Sequence, residues 1–292
     1  MKDSVRKMKM GWLPDYPDFR DYGHNRDEIS KLFKKMKISD SPGQKLDKKV
    51  DLTQWCSPVE DQGDIGSCTA NAGVGMLEYF ENRAFGSFIN ASRLFLYKVT
   101  RNLLGWTGDT GAFLRSTMGA MALFGVLPEK YWPYNTADFD KEPTPFCYGL
   151  SQNYQALIYY RLDTSGTTKD KLLNKIKTNL AAGLPSMFGF TVYSSIDKPV
   201  NPGDIPYPTP VEKVLGGHAI VAVGYDDNKK VKNPNAAGTT STGALMIRNS
   251  WGSGWGASGY GWLPYDYVLK GLAVDWWTLI KNEWVETKNF GF

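Results

Sequence analysis

The segment Gln62–Ala72 reads QGDIGSCTANA and carries the pattern that decides the fold class of this chain. Its glycines and Ser67 indicate a loop that turns into a helix, and residues 76, 79 and 80 give that helix an apolar face at positions i, i+3 and i+4. Cys68 would then lie in the first helical turn, where unpaired backbone N–H groups favour an ionised thiol. The sequence therefore predicts a reactive cysteine at the start of a helix.

Two later stretches supply side chains that suit such a thiol. Residues 216–225 read GGHAIVAVGY, an apolar run that indicates a buried strand and contains His218, one of two histidines in the chain. Residues 248–256 read RNSWGSGWG and begin at the end of a second apolar run, which places Asn249 at a strand end. An imidazole beside Cys68 would favour the thiolate and act as its base, and an amide would orient the imidazole.

Two further side chains complete the predicted site. Trp251 would shield a hydrogen bond between His218 and Asn249 from water, which strengthens it. Gln62 would donate its side-chain N–H to an oxyanion, with the Cys68 backbone N–H as the second donor. Each feature alone has a simpler interpretation, as a buried cysteine, a core histidine or a turn. Their occurrence together, in this chain order, favours nucleophilic acyl transfer.

Around these residues the chain resembles the papain family of cysteine peptidases, from about residue 50 to about residue 280. The stretches that carry the resemblance are VEDQG at 59–63, FGVLPE at 124–129, YWPY at 131–134 and the regions 218–225 and 249–260. The resemblance implies an α+β fold of two lobes, a helical left lobe and an antiparallel β-barrel-like right lobe, with the active site in the cleft between them. It implies a catalytic set of nucleophile Cys68, base His218, orienter Asn249 and oxyanion-hole donor Gln62.

The resemblance also implies where a substrate would bind. The glycine pair that is usual in the family appears as Gly111-Ala112, which would make the cleft tighter, and Gly217 and Trp251 would lie along it. Asp275 falls where the family sets the floor of the main side-chain pocket. An acid there would favour Arg or Lys at the second residue before the cut; the alternative is an ordinary aspartate at a strand end.

The chain divides into a predicted leader, residues 1–49, and a predicted peptidase domain, residues 50–292, of which 50–150 are mainly helical and 151–292 mainly β. The leader is predicted to contain a helix near 27–37 and a linker at 39–43. The predicted helices of the domain are 68–84, 90–101, 112–124 and 169–181, and its predicted strands are 154–162, 185–192, 217–226, 244–250, 258–263 and 273–280.

One stretch of the leader is rich in aromatic rings and prolines, although the leader is otherwise polar and basic: Trp12, Pro14, Tyr16, Pro17 and Phe19. Such a stretch has no core of its own, and proline favours an extended chain and removes backbone donors. We therefore predict that residues from about 10 to about 25 lie along or over the Cys68–His218 cleft and inhibit the enzyme in cis; the alternative is a flexible tail. The sequence GWLPDYPD at 11–18 resembles the bacterial branch of the family more than the plant or lysosomal branch.

Charge and composition limit the partners. The net charge is +4, and the leader alone carries +5, because residues 1–49 hold thirteen Lys/Arg and eight Asp/Glu. A solvated basic segment explains this charge without nucleic acid or a membrane, and no helix-turn-helix, RNP or zinc pattern occurs in the sequence. A run of about 18 apolar residues and a Sec-type signal are both lacking, which leaves the compartment open.

Cysteine content and the predicted chemistry define the expected function. The chain has three cysteines, Cys56, Cys68 and Cys147, and Ile65 replaces the half-cystine that the family usually has there, so we expect no disulfide. We expect a monomeric cysteine endopeptidase that acts on peptide or protein substrates, is restrained by its own N-terminal segment, and uses no metal or cofactor. Two alternatives stay open: a thiol acyltransferase or transglutaminase-like enzyme, and a catalytically silent papain-fold binding protein.

Overall fold

The computed structural model of the 292-residue chain describes residues 9–36, 38, 45–155, 158–235, 239–287 and 289–290. The predicted linker at 39–43 lies outside these residues. The helices are α1 (Asp27–Lys35), α2 (Cys68–Phe85), α3 (Arg93–Leu103), α4 (Leu114–Leu123), α5 (Pro145–Ser151), α6 (Lys169–Ala181), α7 (Tyr265–Leu269) and α8 (Asn282–Glu286). The strands are β1 (Trp12–Leu13), β2 (Lys49–Asp51), β3 (Ala112–Phe113), β4 (Ile158–Arg161), β5 (Ser186–Tyr193), β6 (Val214–Lys232), β7 (Thr240–Arg248), β8 (Tyr260–Pro264) and β9 (Ala273–Ile280).

The helical part of the molecule is organised around α2, whose residues 68–80 are all buried. A helix buried on every side belongs to the interior rather than the surface. α3 and α4 pack against α2 and against each other. α3 begins after Ser92, whose side chain accepts a hydrogen bond from the Phe95 N–H, and α2 ends at Gly86, which has the left-handed conformation (φ 71°) that glycine adopts most readily.

An antiparallel sheet forms the other part, in the strand order β4-β9-β5-β6-β7-β8, and β2 also pairs with β6. In the register of β6 and β7, Val221 lies opposite Arg248. His218 and Asn249 are therefore brought to the same end of these two neighbouring strands. α2 packs against β6, so the start of α2 and this end of the sheet meet at the junction of the helical and β parts.

The predicted α+β architecture and each predicted helix and strand are observed, with boundaries that differ by a few residues. β6 is longer than predicted because residues 230–232, a buried valine between two lysines, continue to pair with β7. The sequence pattern does not predict β1, β2 and β3, since strands of two or three residues are too short to show a period of two. Two of these short strands, β1 and β3, pair with each other in parallel.

Residues 9–22, which we call the N-terminal segment, lie against the body of the protein. β1 pairs with β3, and the Arg161 N–H donates to the Tyr22 carbonyl at 2.7 Å. α1 then buries its apolar side, and its Phe33 ring contacts the Tyr160 ring with 5.6 Å between centroids. The leader thus contacts the body of the protein through Trp12, Tyr22 and α1, which disagrees with a flexible tail, but the rings of Tyr16 and Phe19 are 89% and 91% exposed.

Three further observations bear on partners and cofactors. In the part of the chain that the structure describes, no helix combines the length and the apolar character needed to cross a membrane. The same residues contain no group of three or more His, Cys, Asp or Glu side chains arranged to hold a metal ion. The three cysteines are free.

Candidate active site

Cys68 is the first residue of α2 and is fully buried. The turn before it is held by Asn71, whose side-chain amide donates to the carbonyl and the hydroxyl oxygen of Ser67, at 3.0 Å each. Burial raises the pKa of the thiol, and the backbone N–H groups of Cys68 and Thr69 at the helix start lower it to a smaller extent. The predicted placement of the cysteine in the first helical turn is therefore observed.

His218 lies on β6 and is fully buried. Its Nε2–H donates to Asn249 Oδ1 at 2.8 Å, and the Ser250 N–H donates to the same oxygen at 2.8 Å. The Trp251 indole stacks on the imidazole, with 4.5 Å between ring centroids and 21° between planes. Among the described residues Nδ1 of His218 has no hydrogen-bond partner, so it is the ring nitrogen that can exchange a proton.

Gln62 is fixed by contacts at both ends of its side-chain amide. Its Oε1 accepts from the Ser250 hydroxyl at 2.7 Å, and its backbone N–H donates to the Ser250 carbonyl at 2.8 Å. Its Nε2 donates to the carbonyl oxygens of Ile65 and Lys9, at 3.0 Å each. Ser250 is a positioning residue that sequence reasoning missed, and its place directly after Asn249 is the signal that could have identified it.

Burial controls the protonation of the thiol and the imidazole. It raises the pKa of Cys68 to about 11, although the backbone N–H groups of Ala219 and Gly11 act in the opposite direction. It lowers the pKa of His218 to about 4, although the hydrogen bond to Asn249 raises it. Burial thus favours the neutral forms of the thiol and the imidazole, whereas the helix N-terminus alone predicts a thiolate.

The backbone of the N-terminal segment covers the cleft. The Ala112 N–H donates to the Gly11 carbonyl at 2.8 Å. Gly111 has a φ of 76°, and a Cβ at this position would lie only 2.2 Å from the Gly11 carbonyl oxygen, so a glycine is required for this close approach. A Cβ at Gly217 would lie 2.7 Å from the Trp12 carbonyl oxygen. Three residues predicted to bind substrate therefore contact the segment.

Trp12 fills a side pocket of the cleft, and Asp275 lies at its floor. The indole Nε1–H donates to Asp275 Oδ2 at 3.1 Å, and Trp12 is only 6% exposed. Its ring lies against Gly189, where any Cβ would overlap it. Asp275 Oδ1 accepts from Trp277 Nε1 at 2.7 Å and lies 3.3 Å from Arg161 Nη1. Burial raises the pKa of Asp275 to about 6, although Arg161 lowers it, so the carboxylate already has a cationic partner in the body.

The site residues predicted from the sequence fall into two groups. Those assigned to the chemistry lie where α2 meets β6 and β7: Cys68, His218, Asn249 and Gln62. Those assigned to substrate line the adjoining groove and contact the N-terminal segment: Gly111, Ala112, Gly217 and Asp275. Trp251 differs from the second group because its ring covers His218.

This chain belongs to the papain family of cysteine proteases, because the family model described as papain family cysteine protease matches residues 44–275. It is a cysteine-type peptidase with the papain-like fold. The structure is similar to that of xylellain, a cysteine protease from Xylella fastidiosa, with a TM-score of 0.73 and 33% identity over 94% of this chain and 96% of xylellain.

Two curated relatives extend the comparison. An uncharacterized peptidase C1-like protein of Acanthamoeba polyphaga mimivirus is 33% identical over 291 residues, which cover 96% of this chain and 89% of the relative. Cathepsin K of Gallus gallus is 27% identical over 210 residues, which cover 70% of this chain and 54% of cathepsin K.

Proposed function

We propose that this protein is a cysteine endopeptidase whose reaction is carried by Cys68, His218 and Asn249, with Gln62 in the oxyanion hole. One observation supports this above the others. A peptide carbonyl, that of Lys9, accepts a hydrogen bond from Gln62 Nε2 in the same cleft that holds the thiol and the oriented imidazole. A substrate carbonyl at the same place would be polarised beside the nucleophile.

The proposed reaction proceeds in two halves. The Cys68 proton passes to His218 Nδ1, and the sulfur attacks the substrate carbonyl carbon, whose oxygen becomes an oxyanion held by Gln62 Nε2 and the Cys68 N–H. The imidazolium gives its proton to the leaving amine as the peptide C–N bond breaks, which leaves a thioester on sulfur. Water, deprotonated by the same imidazole, then hydrolyses the thioester. The Asn249 oxygen holds the ring through Nε2–H throughout.

We also propose that the N-terminal segment restrains this activity in cis, and its direction explains how it resists cleavage. The family resemblance assigns the Asp275 pocket to the second residue before the cut. Trp12 occupies that pocket, but it follows Lys9, whose carbonyl occupies the oxyanion site. The chain therefore runs opposite to a productive substrate. In the same proposal, residues 1–49 form the leader and residues 50–292 the peptidase domain; β2, which pairs with β6, spans Lys49–Asp51 and so crosses this boundary by one residue.

The rate of Cys68 alkylation is expected to show whether the N-terminal segment covers the thiol. In the full chain, modification by iodoacetamide should be slow at pH 7 and should accelerate toward pH 11, because the thiolate reacts and each pH unit below a pKa of about 11 lowers its fraction about tenfold. Once the segment leaves, water and the imidazolium favour the thiolate, so Trp12→Ala should be modified faster at pH 7. Mass spectrometry of the Cys68 peptide measures both rates, with Cys147 as the internal control. A full chain already modified at its plateau rate at pH 7 would contradict the proposal.

The Asp275 pocket is expected to prefer a large aromatic side chain that carries a hydrogen-bond donor. Arg161 already neutralises the carboxylate, whereas Oδ2 accepts from an indole. Peptides with Trp at the second position before the cut should have a kcat/KM about fivefold above those with Phe, the worth of roughly one hydrogen bond. Peptides with Arg or Lys at this position should not have a higher kcat/KM than those with Phe. A basic preference that disappears in Asp275→Asn would instead support the prediction made from the sequence.

The acyltransferase alternative shares every step up to the thioester. It is tested by supplying a primary amine with the peptide substrate and analysing the products. We expect free carboxylate as the main product; an amide formed in large excess over carboxylate would favour the transferase. The silent binding protein is tested by the Cys68 variant discussed below.

A further inference from the structure

Arg115 lies at the start of α4, two residues after β3, and its side chain is 25% exposed. It makes an ion pair with Asp15, and its Nε and Nη2 donate to the two carboxylate oxygens of Asp21 at 2.8 Å each. Its Nη2 also donates to the Tyr16 carbonyl at 2.7 Å. Among the described residues, the hydrogen-bond and ion-pair partners of Arg115 thus all belong to the N-terminal segment.

Arg161 also contacts the N-terminal segment, but it differs from Arg115 because it has further ion-pair partners. It lies 3.6 Å from Asp21, but it also pairs with Asp163 at 2.9 Å and with Asp275 at 3.3 Å. Both of these aspartates belong to the body and remain when the segment leaves. Of its contacts with the residues that the structure describes, Arg115 then keeps that with the face of the Trp277 ring, whose centroid is 5.6 Å from the guanidinium carbon. An open cleft therefore presents one guanidinium without a carboxylate.

The position of Arg115 along the cleft is fixed by the segment itself. The Lys9 carbonyl accepts a hydrogen bond from Gln62 Nε2 beside the catalytic residues, and the Gly11 carbonyl accepts one from the Ala112 N–H. Trp12 then pairs with Ala112, and Asp15 makes its ion pair with Arg115. A fully extended chain rises about 3.3 Å per residue, so Gly11 and Asp15 are separated by at most roughly 13 Å. Asp15 lies three residues beyond the residue in the pocket. A substrate on the same wall, with its second residue before the cut in this pocket, would bring its fifth residue before the cut to Arg115.

We propose that Arg115 is a specificity-determining residue of the open enzyme and selects peptides that carry a carboxylate about five residues before the cut. The proposal rests on the proposed peptidase function and on departure of the segment from the cleft. A guanidinium matches a carboxylate through two parallel hydrogen bonds, which an amide of the same size cannot reproduce with equal strength. The substrate would thus replace the Asp15 and Asp21 carboxylates that leave with the segment.

The test compares pairs of peptides that differ only in Asp or Asn, placed at the fourth, fifth or sixth position before the cut, with the full-length protein as enzyme. The ratio of kcat/KM within a pair is the readout, because competition from the segment lowers both rates by the same factor and cancels. We expect the Asp peptide to be favoured about threefold to tenfold at one of these positions, mainly through KM, and we expect the ratio to fall as salt is added.

Variants separate a specificity role from a structural one. Arg115→Gln should bring the ratio to about 1, Arg115→Lys should retain part of it, and Arg115→Glu should favour a peptide with Lys at that position. Arg20→Gln is the matched control, because Arg20 pairs with Asp18 inside the segment; its ratio should equal that of the wild type. Far-UV circular dichroism and thermal unfolding establish that each variant is folded, and a ratio is read only from folded variants.

The two possible failures are distinguishable. If neither peptide is cleaved by the wild type or by Trp12→Ala, the proposed peptidase function fails. If both are cleaved at equal rates at all three positions, or if the ratio survives in Arg115→Gln, the peptidase stands and the assignment of Arg115 is overturned.

Discussion

Replacing Cys68 with alanine is expected to abolish peptide hydrolysis, and His218→Ala is expected to have an effect of the same size, about 10⁶-fold in kcat. The double variant should be no worse than either single variant, because a nucleophile without its base and a base without its nucleophile are equally inactive. Gln62→Ala should lower kcat by about 10²–10³, which is typical of losing one oxyanion donor. Cleavage of a peptide library, measured for each variant beside the wild type, gives these values.

These measurements are best made both in the wild type and in a background with a weakened N-terminal segment, since a wild type inhibited as proposed would have little activity to lose. Cys147→Ala is the matched control, because this second buried cysteine is bonded to Thr144 in a different part of the helical lobe. It should keep its kcat. Full activity of Cys68→Ala would contradict the whole assignment, whereas complete inactivity of the wild type in both backgrounds would favour the silent binding protein.

The second large effect is expected from Trp12→Ala, which should raise kcat/KM for a small peptide about 10²-fold in the full-length chain. The indole is almost completely buried and fills its pocket. Removing such a side chain typically costs 3–5 kcal/mol, and here that energy holds the N-terminal segment in the cleft. The segment would therefore leave the cleft more often, and the rate should rise until the open form predominates. Initial rates with a fluorogenic peptide measure the change.

Phe19→Ala provides the matched control, because Phe19 is an aromatic residue of the same N-terminal segment that is 91% exposed. Its loss should change kcat/KM by less than about twofold. Equal activation by the two variants would indicate a general loosening of the N-terminal segment. An unchanged rate in Trp12→Ala would mean that the segment does not limit access to Cys68.

The chemistry of the site could be predicted from the sequence because the side chains that carry it are rare and lie in distinctive local patterns. The predicted start of a helix identifies Cys68, and two apolar runs identify His218 and Asn249. The mechanistic roles of these residues stay predictions, although the structure places them together. Ser250 was harder to find, since a serine beside an asparagine has no unusual local pattern, and only its three-dimensional contact with Gln62 reveals its position.

The ion pair between Arg161 and Asp275 could not be predicted from the sequence. Arg161 lies more than a hundred residues before Asp275, and only the pairing of β4 with β9 brings the two side chains together. The sequence and its family resemblance alone therefore predict either a pocket for a basic side chain or an ordinary aspartate at a strand end. The pKa of Cys68 depends on long-range structure in the same way, because it is raised by burial in the folded chain rather than by its sequence neighbours.

The parallel pairing of β1 with β3 has a consequence for how inhibition would depend on concentration. Trp12 belongs to the same polypeptide as its pocket, so under the proposed inhibition it would compete as a tethered ligand whose effective concentration is on the order of millimolar, however dilute the protein is. Dilution cannot relieve such inhibition, and a free peptide must exceed that local concentration or bind more tightly. A single cut in the chain between α1 and β2 would remove the tether and convert the inhibitor into a separate molecule that can diffuse away.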